Sequence, residues 1–128
     1  MGLDLVLLEG SYAVCRLDPA AKIPDWTGRG EFVSLTRTPR ELSIVCPEDR
    51  VPADVAREGG FRALRIQGPL DFALTGILDS LLHPLAEERI AVFAVSTYET
   101  DYVLVRQEAL GRTVEILMRG GNNIILPD

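Results

Sequence analysis

Histidine, cysteine and tryptophan are nearly missing from this chain: one His, two Cys and one Trp among 128 residues. Each scarcity removes a class of function. A Ser-His-Asp triad would have to be built on His83, which stands in "LLHPLAEE" just before a proline on a helical stretch, a poor seat for a general base. The plain reading of His83 is a half-exposed helix residue. One His and two Cys make no zinc site at any usual spacing. P-loop, GxGxxG and EF-hand patterns are also missing. Positive charge is in deficit, with 13 Lys and Arg against 19 Asp and Glu and a formal net charge of -6. That balance argues against nucleic acid or an anionic membrane as partner and mildly favours a cationic ligand. No apolar run approaches the roughly 20 residues of a membrane span. The start, "MGLDLVLLEG", carries an acidic residue at once and too short an apolar run for a secretion signal, and Val6 breaks the myristoylation pattern after Gly2. The expected setting is the cytoplasm, with Cys15 and Cys46 reduced and buried as small hydrophobes. No cofactor, metal or catalysis is expected.

What is present is ordinary for a soluble globular protein: 47% hydrophobic and 25% charged residues, in a length that suits one domain or two very small ones. "LDLVLLEG" and "YAVCRLD" are apolar runs parted by Gly10 and Ser11 and read as a hairpin. Pro19, Pro24, Gly28 and Gly30 make the next stretch a loop. "EFVSLTRT" and "ELSIVCP" are strands. "EDRVPADVARE" reads as a short amphipathic helix stopped by Gly59 and Gly60. "FRALRIQG" is a strand. In "LDFALTGILDSLLHPLAEER", Leu74, Ile77, Leu78, Leu81, Leu82 and Leu85 form one helical stripe, with Asp71 at the N-cap position and Pro84 bending the far end. "IAVFAVS", apolar on both faces, suits a central strand. "YVLVR", the helix "QEALGRTVEILMR" and a short strand "NIILPD" complete the chain.

From Phe61 the order is strand, helix, strand, strand, helix, strand, the ferredoxin-like βαββαβ arrangement, with its first and third strands central and both helices on one face. The first half repeats it in reduced form. "TRTPRELSIVCPE" set over "STYETDYVLVRQE" at an offset of sixty places Thr36 on Ser96, Glu41 on Asp101 and Val45 on Val105. The fold class is therefore α+β, two tandem ferredoxin-like units with antiparallel sheets. They are divided as 1–60, with a reduced first helix and the N-terminal strand completing its sheet, and 61–128, complete. Cys15 and Cys46 fall on neighbouring central strands, close without being bonded, and Trp26 covers the core where the first helix is missing.

The segment "VSTYETDYVLV", Val95 to Val105, interrupts apolar strand with hydroxyls and carboxylates. It matches an "ISTYxTDYxLV"-like pattern, and "GPLDFALTGILDSLLHPLAEERIAVFAVSTYETDYVLV" resembles the ACT domain. The whole chain is similar to small bacterial proteins of two tandem ACT units, to the ACT units of the cytosolic arginine sensors (the CASTOR family) and, more distantly, to the regulatory part of aspartate kinases. The resemblance implies a non-catalytic, allosteric regulatory module that binds a small molecule, most often an amino acid, and pairs with itself as a homodimer. Carried over residue by residue, it implies contacts from Ser96, Thr97, Tyr98 and Asp101, and from Asp71, Phe72, Thr75, Gly76 and Ile77 where the chain approaches the first helix. Tyr98 departs from the family's Phe, and Thr75 stands where a cysteine aligns, which leaves the ligand open.

Chemistry supports that placement. A helix N-terminus presents unpaired N–H groups to a carboxylate, and Asp101 could receive an ammonium or guanidinium. Plainer readings stand beside it. Asp71 can be only an N-cap, Asp101 only a turn residue, Gly76 only a packing glycine inside the helix, and Arg16, Arg37 and Arg40 only a solvated face. The alternative function is a structural, oligomer-forming ACT-like module without a ligand.

Overall fold

The computed structural model describes residues 2–28, 30–68 and 75–127. Its strands are β1 (Asp4–Leu7), β2 (Tyr12–Leu17), β3 (Ser34–Arg37), β4 (Leu42–Pro47), β5 (Arg57–Ile66), β6 (Phe93–Ser96), β7 (Asp101–Arg106) and β8 (Asn123–Ile125), and its helices are α1 (Ile77–Glu87) and α2 (Leu110–Arg119). The chain groups into a small unit, residues 10–61, and a large unit that joins residues 1–9 to 62–128. The fold is α+β, built from ferredoxin-like units.

In the small unit the antiparallel order is β3-β4-β2-β5, with the unit's first and third strands central. Both helices are reduced to single 3-10 turns, Asp25–Thr27 and Glu48–Arg50. Pairing of Ala13 with Cys46 and of Cys15 with Ile44 puts both thiols on one face. That face forms a core with Val51, and Trp26, Val33 and Val55 close over it. Cys15 and Cys46 are free, buried thiols. Burial first, and then the neighbouring Cys15, push Cys46 up to about 12, so it stays protonated. Arg37 is not merely solvated: its guanidinium donates to the carbonyls of Pro19 and Ala21 and holds the loop that replaces the first helix.

The stretch from Glu48 to Glu58, read in sequence as a helix stopped by Gly59 and Gly60, is instead the 3-10 turn, a loop and the start of β5. Both glycines lie inside the strand. The cause is Glu48, whose Oε1 accepts the Gly60 N–H at 2.8 Å. A Cβ on Gly59 would come within 2.1 Å of the other Glu48 oxygen. Gly60 takes φ +75, and the β2–β5 register shifts between Tyr12 and Val14, as at a bulge.

In the large unit β6, β7, β5, β1 and β8 pair in that order. The β5-α1-β6-β7-α2-β8 sequence is the expected one, but β1 lies between β5 and β8. It runs antiparallel to β5 (Leu5 opposite Ile66, Leu7 opposite Leu64) and parallel to β8 (Leu5 opposite Ile124). The N-terminal strand thus forms no hairpin with β2 and completes the other unit's sheet. The reason is on its buried face: Leu5 and Leu7 join Leu64, Ile66, Val103, three α1 residues and two α2 residues in one core. Polar groups fix the same placement. Asn122 accepts the Leu3 N–H on Oδ1 at 3.0 Å and donates from Nδ2 to the Leu117 carbonyl at 2.9 Å. The small unit finds its fourth strand in the first half of β5.

Helix α1 buries Ile77, Leu81 and Leu85, each four residues on, as its stripe requires. It begins later than the sequence suggests. Gly76 is its N-cap, at φ +75, rather than an interior glycine, and Asp71, Phe72 and Leu74 lie outside the described residues. Pro84 is inside the helix. The end closes with Arg89 at φ 60, where Arg89 N–H meets Ala86 O at 3.0 Å and Ile90 N–H meets Leu85 O at 3.0 Å, a Schellman arrangement. Glu88 then pairs with Arg112 of α2. Strand β6 is a four-residue strand paired with β7 at the sheet's end, not a central one. Among the described residues no helix is long and apolar enough to cross a membrane.

Candidate functional site

The β6–β7 hairpin holds the polar segment singled out in the sequence. Ser96 pairs with Asp101, and Thr97 to Thr100 form the turn between them. Thr97 closes that turn with its own groups. Its N–H meets the Thr100 carbonyl at 2.8 Å, its hydroxyl donates to the same carbonyl at 3.1 Å, and its Oγ1 accepts the Thr100 N–H at 3.3 Å. This is Ser/Thr turn chemistry, so most of the Thr97 hydroxyl is spent within the hairpin. Tyr98 at the tip is 84% exposed. Asp101 is half-buried, and its Oδ1 accepts the Ser96 hydroxyl at 2.5 Å. Among the described residues its second oxygen takes no hydrogen bond.

Thr100, which the sequence reading passed over, is the anchor of the turn. It is 8% exposed, and its hydroxyl donates to the Ile66 carbonyl at 2.7 Å. Ile66 ends β5, where the chain leaves for α1. A polar turn is therefore held at the end of the strand that feeds the helix. The only sequence signal would have been a hydroxyl residue directly preceding an apolar strand, which many plain turns also show.

The residues expected around the approach to α1 are placed unevenly. Thr75 and Gly76 are exposed, while Ile77 is 8% exposed and packs in the core, so only its backbone faces outward chemistry. Asp71 and Phe72 are outside the described residues. No hydrogen bond joins Thr75, Gly76 or Ile77 to Thr97 or Asp101 among the described residues. The first intrahelical bond runs from Ser80 N–H to Gly76 O at 2.9 Å, which leaves the N–H groups of Ile77, Leu78 and Asp79 without helical acceptors. The Asp79 carboxylate in that first turn opposes the positive helix end.

The small unit carries the counterpart turn. Thr38 N–H meets Glu41 O at 2.9 Å, and Thr38 Oγ1 accepts from the N–H groups of Arg40 and Glu41 at 3.1 and 3.2 Å. Thr38 therefore corresponds to Thr97, β3 to β6, β4 to β7 and Glu48–Arg50 to Gln107–Ala109 in the repeat. That is an offset of fifty-nine, one less than the sequence alignment, which matched carboxylates where the chain matches turn-closing threonines. In this register Leu42, a 1% exposed core residue, occupies the place of Asp101. The small unit thus lacks a copy of that carboxylate. Among the described residues no cluster of metal-ligating side chains is found.

A family model described as ACT domain matches residues 56–119, and a second, described as an N-terminal domain, matches residues 10–54. Among relatives, "Cytosolic arginine sensor for mTORC1 subunit 1" of Bos taurus is 31% identical over 102 residues, 71% of this chain. The chain spans only 31% of that relative's length. A solved structure of protein Atu0741 from Agrobacterium tumefaciens is 41% identical, covers 100% of this chain and 96% of its own, and superposes with a TM-score of 0.93. The regulatory subunit of aspartate kinase from Thermus thermophilus shares the fold at a TM-score of 0.59 with 11% identity, over 91% of this chain and 95% of that one.

The Thr100 hydrogen bond makes a direct prediction. Thr100→Val, which keeps the shape and leaves the Ile66 carbonyl without its donor, lowers unfolding free energy by about 1–3 kcal/mol, whereas Thr100→Ser stays closer to the parent. Urea denaturation measures both; equal midpoints for the Val variant and the parent would show that the bond contributes nothing.

Proposed function

The chain belongs to the ACT domain family, and from that premise we propose that it is a non-catalytic, cytoplasmic regulatory protein that binds an amino acid at the Asp101 hairpin of its large unit. Asp101 carries the reading. It is a half-buried carboxylate with one oxygen steadied by Ser96, on a turn fixed by Thr100. Such a group receives a ligand ammonium or guanidinium through a charge-assisted bond at little cost in ordering. The N–H groups that open α1, which have no helical acceptor, are the complementary hosts for a carboxylate, with Thr75 and Gly76, and the Asp71–Phe72 stretch, as the remaining contributors. Support from relatives lies in the name of the Bos taurus protein, an arginine sensor described as cytosolic.

A specific observation favours the alternative, a structural module with no ligand: Thr97, Thr100 and Ser96 satisfy one another or the backbone without a guest. The two readings separate in a thermal-shift screen across the proteinogenic amino acids. Binding at a hundredfold excess over Kd stabilises by about 2.7 kcal/mol, a shift of several degrees for a chain of this size. Asp101→Asn abolishes that shift and leaves ligand-free melting within about 0.5 kcal/mol of the parent. No shift with any amino acid at millimolar concentration would leave the structural module standing.

The same reading includes a homodimer. Among the described residues β3 and β6 each pair on one side only, and Phe93 and Val95 of β6 are half-buried. Unpaired strand edges invite cover by a second copy. Light scattering at micromolar concentration is expected to give twice the chain mass of 14.1 kDa; a particle of single-chain mass would remove the dimer.

A further inference from the structure

The helices α1 and α2 cover one face of the large unit's sheet, where Leu5, Leu64, Ile66 and Val103 share a core with them. Side chains alternate along a strand, so Val6, Arg65 and Tyr102 point from the other face. The register carries that set to both ends of the sheet. Val6 is directly opposite Arg65 on one side and Ile125 on the other, and Tyr102 is directly opposite Val95. Because β7 pairs with β5, Val95, Tyr102, Arg65, Val6 and Ile125 cross the unit's sheet with one residue from each strand. At about 4.8 Å between neighbouring strands the row spans about 19 Å.

An antiparallel sheet with one open face normally turns apolar side chains inward and polar ones outward. This row does not. Val95, Tyr102, Val6 and Ile125 stand where solvated side chains belong. Ile125 is 45% exposed, and the other three are half-buried. Contiguous apolar surface of this kind marks an interaction site. At its middle is Arg65, also half-buried, whose guanidinium makes no hydrogen bond or ion pair among the described residues. Asp4, two residues before Val6, is already engaged: its Oδ1 accepts from the Asn123 side-chain amide at 2.9 Å.

Arg65 decides what the face can receive. Two residues flank it on each side, so a two-fold axis through the row would set Arg65 against its own copy. Two like charges pressed together on apolar surface are costly without counter-charges, which argues against a second copy. A wholly apolar partner would strip water from the guanidinium and return nothing. A carboxylate set among apolar side chains meets both demands. We propose that this face docks an amphipathic helix of a partner protein that carries one Asp or Glu within its apolar stripe. The row matches the length of roughly 13 residues of α-helix. Arg65 forms a charge-assisted pair with the partner's carboxylate, and the four neighbours receive the stripe. By the same alternation Asp101 falls on the face that bears the helices, so this surface stands apart from the amino-acid reading.

The test is an amide-resolved NMR titration of the full chain with two synthetic helical peptides of about four turns. They are identical except at the centre of a leucine stripe, which is Glu in one and Lys in the other. The Glu peptide shifts the amides of Val6, Arg65, Tyr102, Val95 and Ile125, and it binds at least about tenfold more tightly than the Lys peptide. Arg65→Glu reverses that order. The two peptides are compared on the parent chain first, so the result stands whether or not the variant folds. Asp101→Asn leaves the binding unchanged, whatever it does to an amino-acid thermal shift. Three results overturn the proposal: no movement of those five amides, equal affinity for the two peptides, or shifts confined to other residues. Movement of the same amides on concentrating the chain alone would place a second copy on the face and also overturn it.

Discussion

One strand with two sets of partners constrains the whole molecule. The first half of β5 pairs with β2 and closes the small unit, and its second half pairs with β1 in the large unit. A ten-residue strand can serve both only if its side chains present the correct face to each core. The bulge at Gly59 and Gly60 marks the change. Gly60 adopts a conformation that a Cβ would strain, and Glu48 both holds its N–H and fills the space beside Gly59. The end of the same strand supplies the carbonyl that fixes the Asp101 turn. Strand pairing, unit organisation and the candidate site thus meet in residues 57–66.

The consequences for function follow from which groups are already satisfied. In the hairpin, Thr97 and Thr100 are consumed by the backbone, and among the described residues Asp101 keeps one oxygen without a partner. A regulatory carboxylate needs such a division: neighbours that hold it in place, and capacity left for a guest. The buried thiols show the opposite case. Cys15 and Cys46 are free thiols inside the core, and burial pushes both upward so that they stay protonated, which suits packing.

Much of this was legible in the sequence where one period dominated. The leucine stripe of α1, the α2 helix and the order of elements after Phe61 all carried through, because burial on one face leaves a repeat that can be read directly. The Asp101 segment was legible as a polar interruption of a strand. The failures have a common origin in partners distant along the chain. Nothing local in "LDLVLL" says that it pairs with β5 and β8 rather than with the adjacent β2; Asn122 and the α1–α2 core decide that. Gly59 and Gly60 look like a helix stop until Glu48 is brought over them. The sixty-residue offset matched like charges, and only the hydrogen bonds of Thr38 and Thr97 correct it by one. Gly76 read as an interior glycine because propensity cannot show where a helix begins when apolar residues precede it.

The placement of β1 in the large unit is the claim on which the rest depends, and native-state hydrogen exchange of Leu5→Ala in the full chain tests it. Leu5 is 1% exposed within the core that also holds Leu64, Val103 and Leu117, so its truncation costs about 2–5 kcal/mol. The account predicts faster amide exchange in residues 64–66, 103–105 and 123–125, with residues 13–15 and 44–46 of the small unit keeping their protection. Loss of protection confined to residues 13–15 and 44–46 would contradict it.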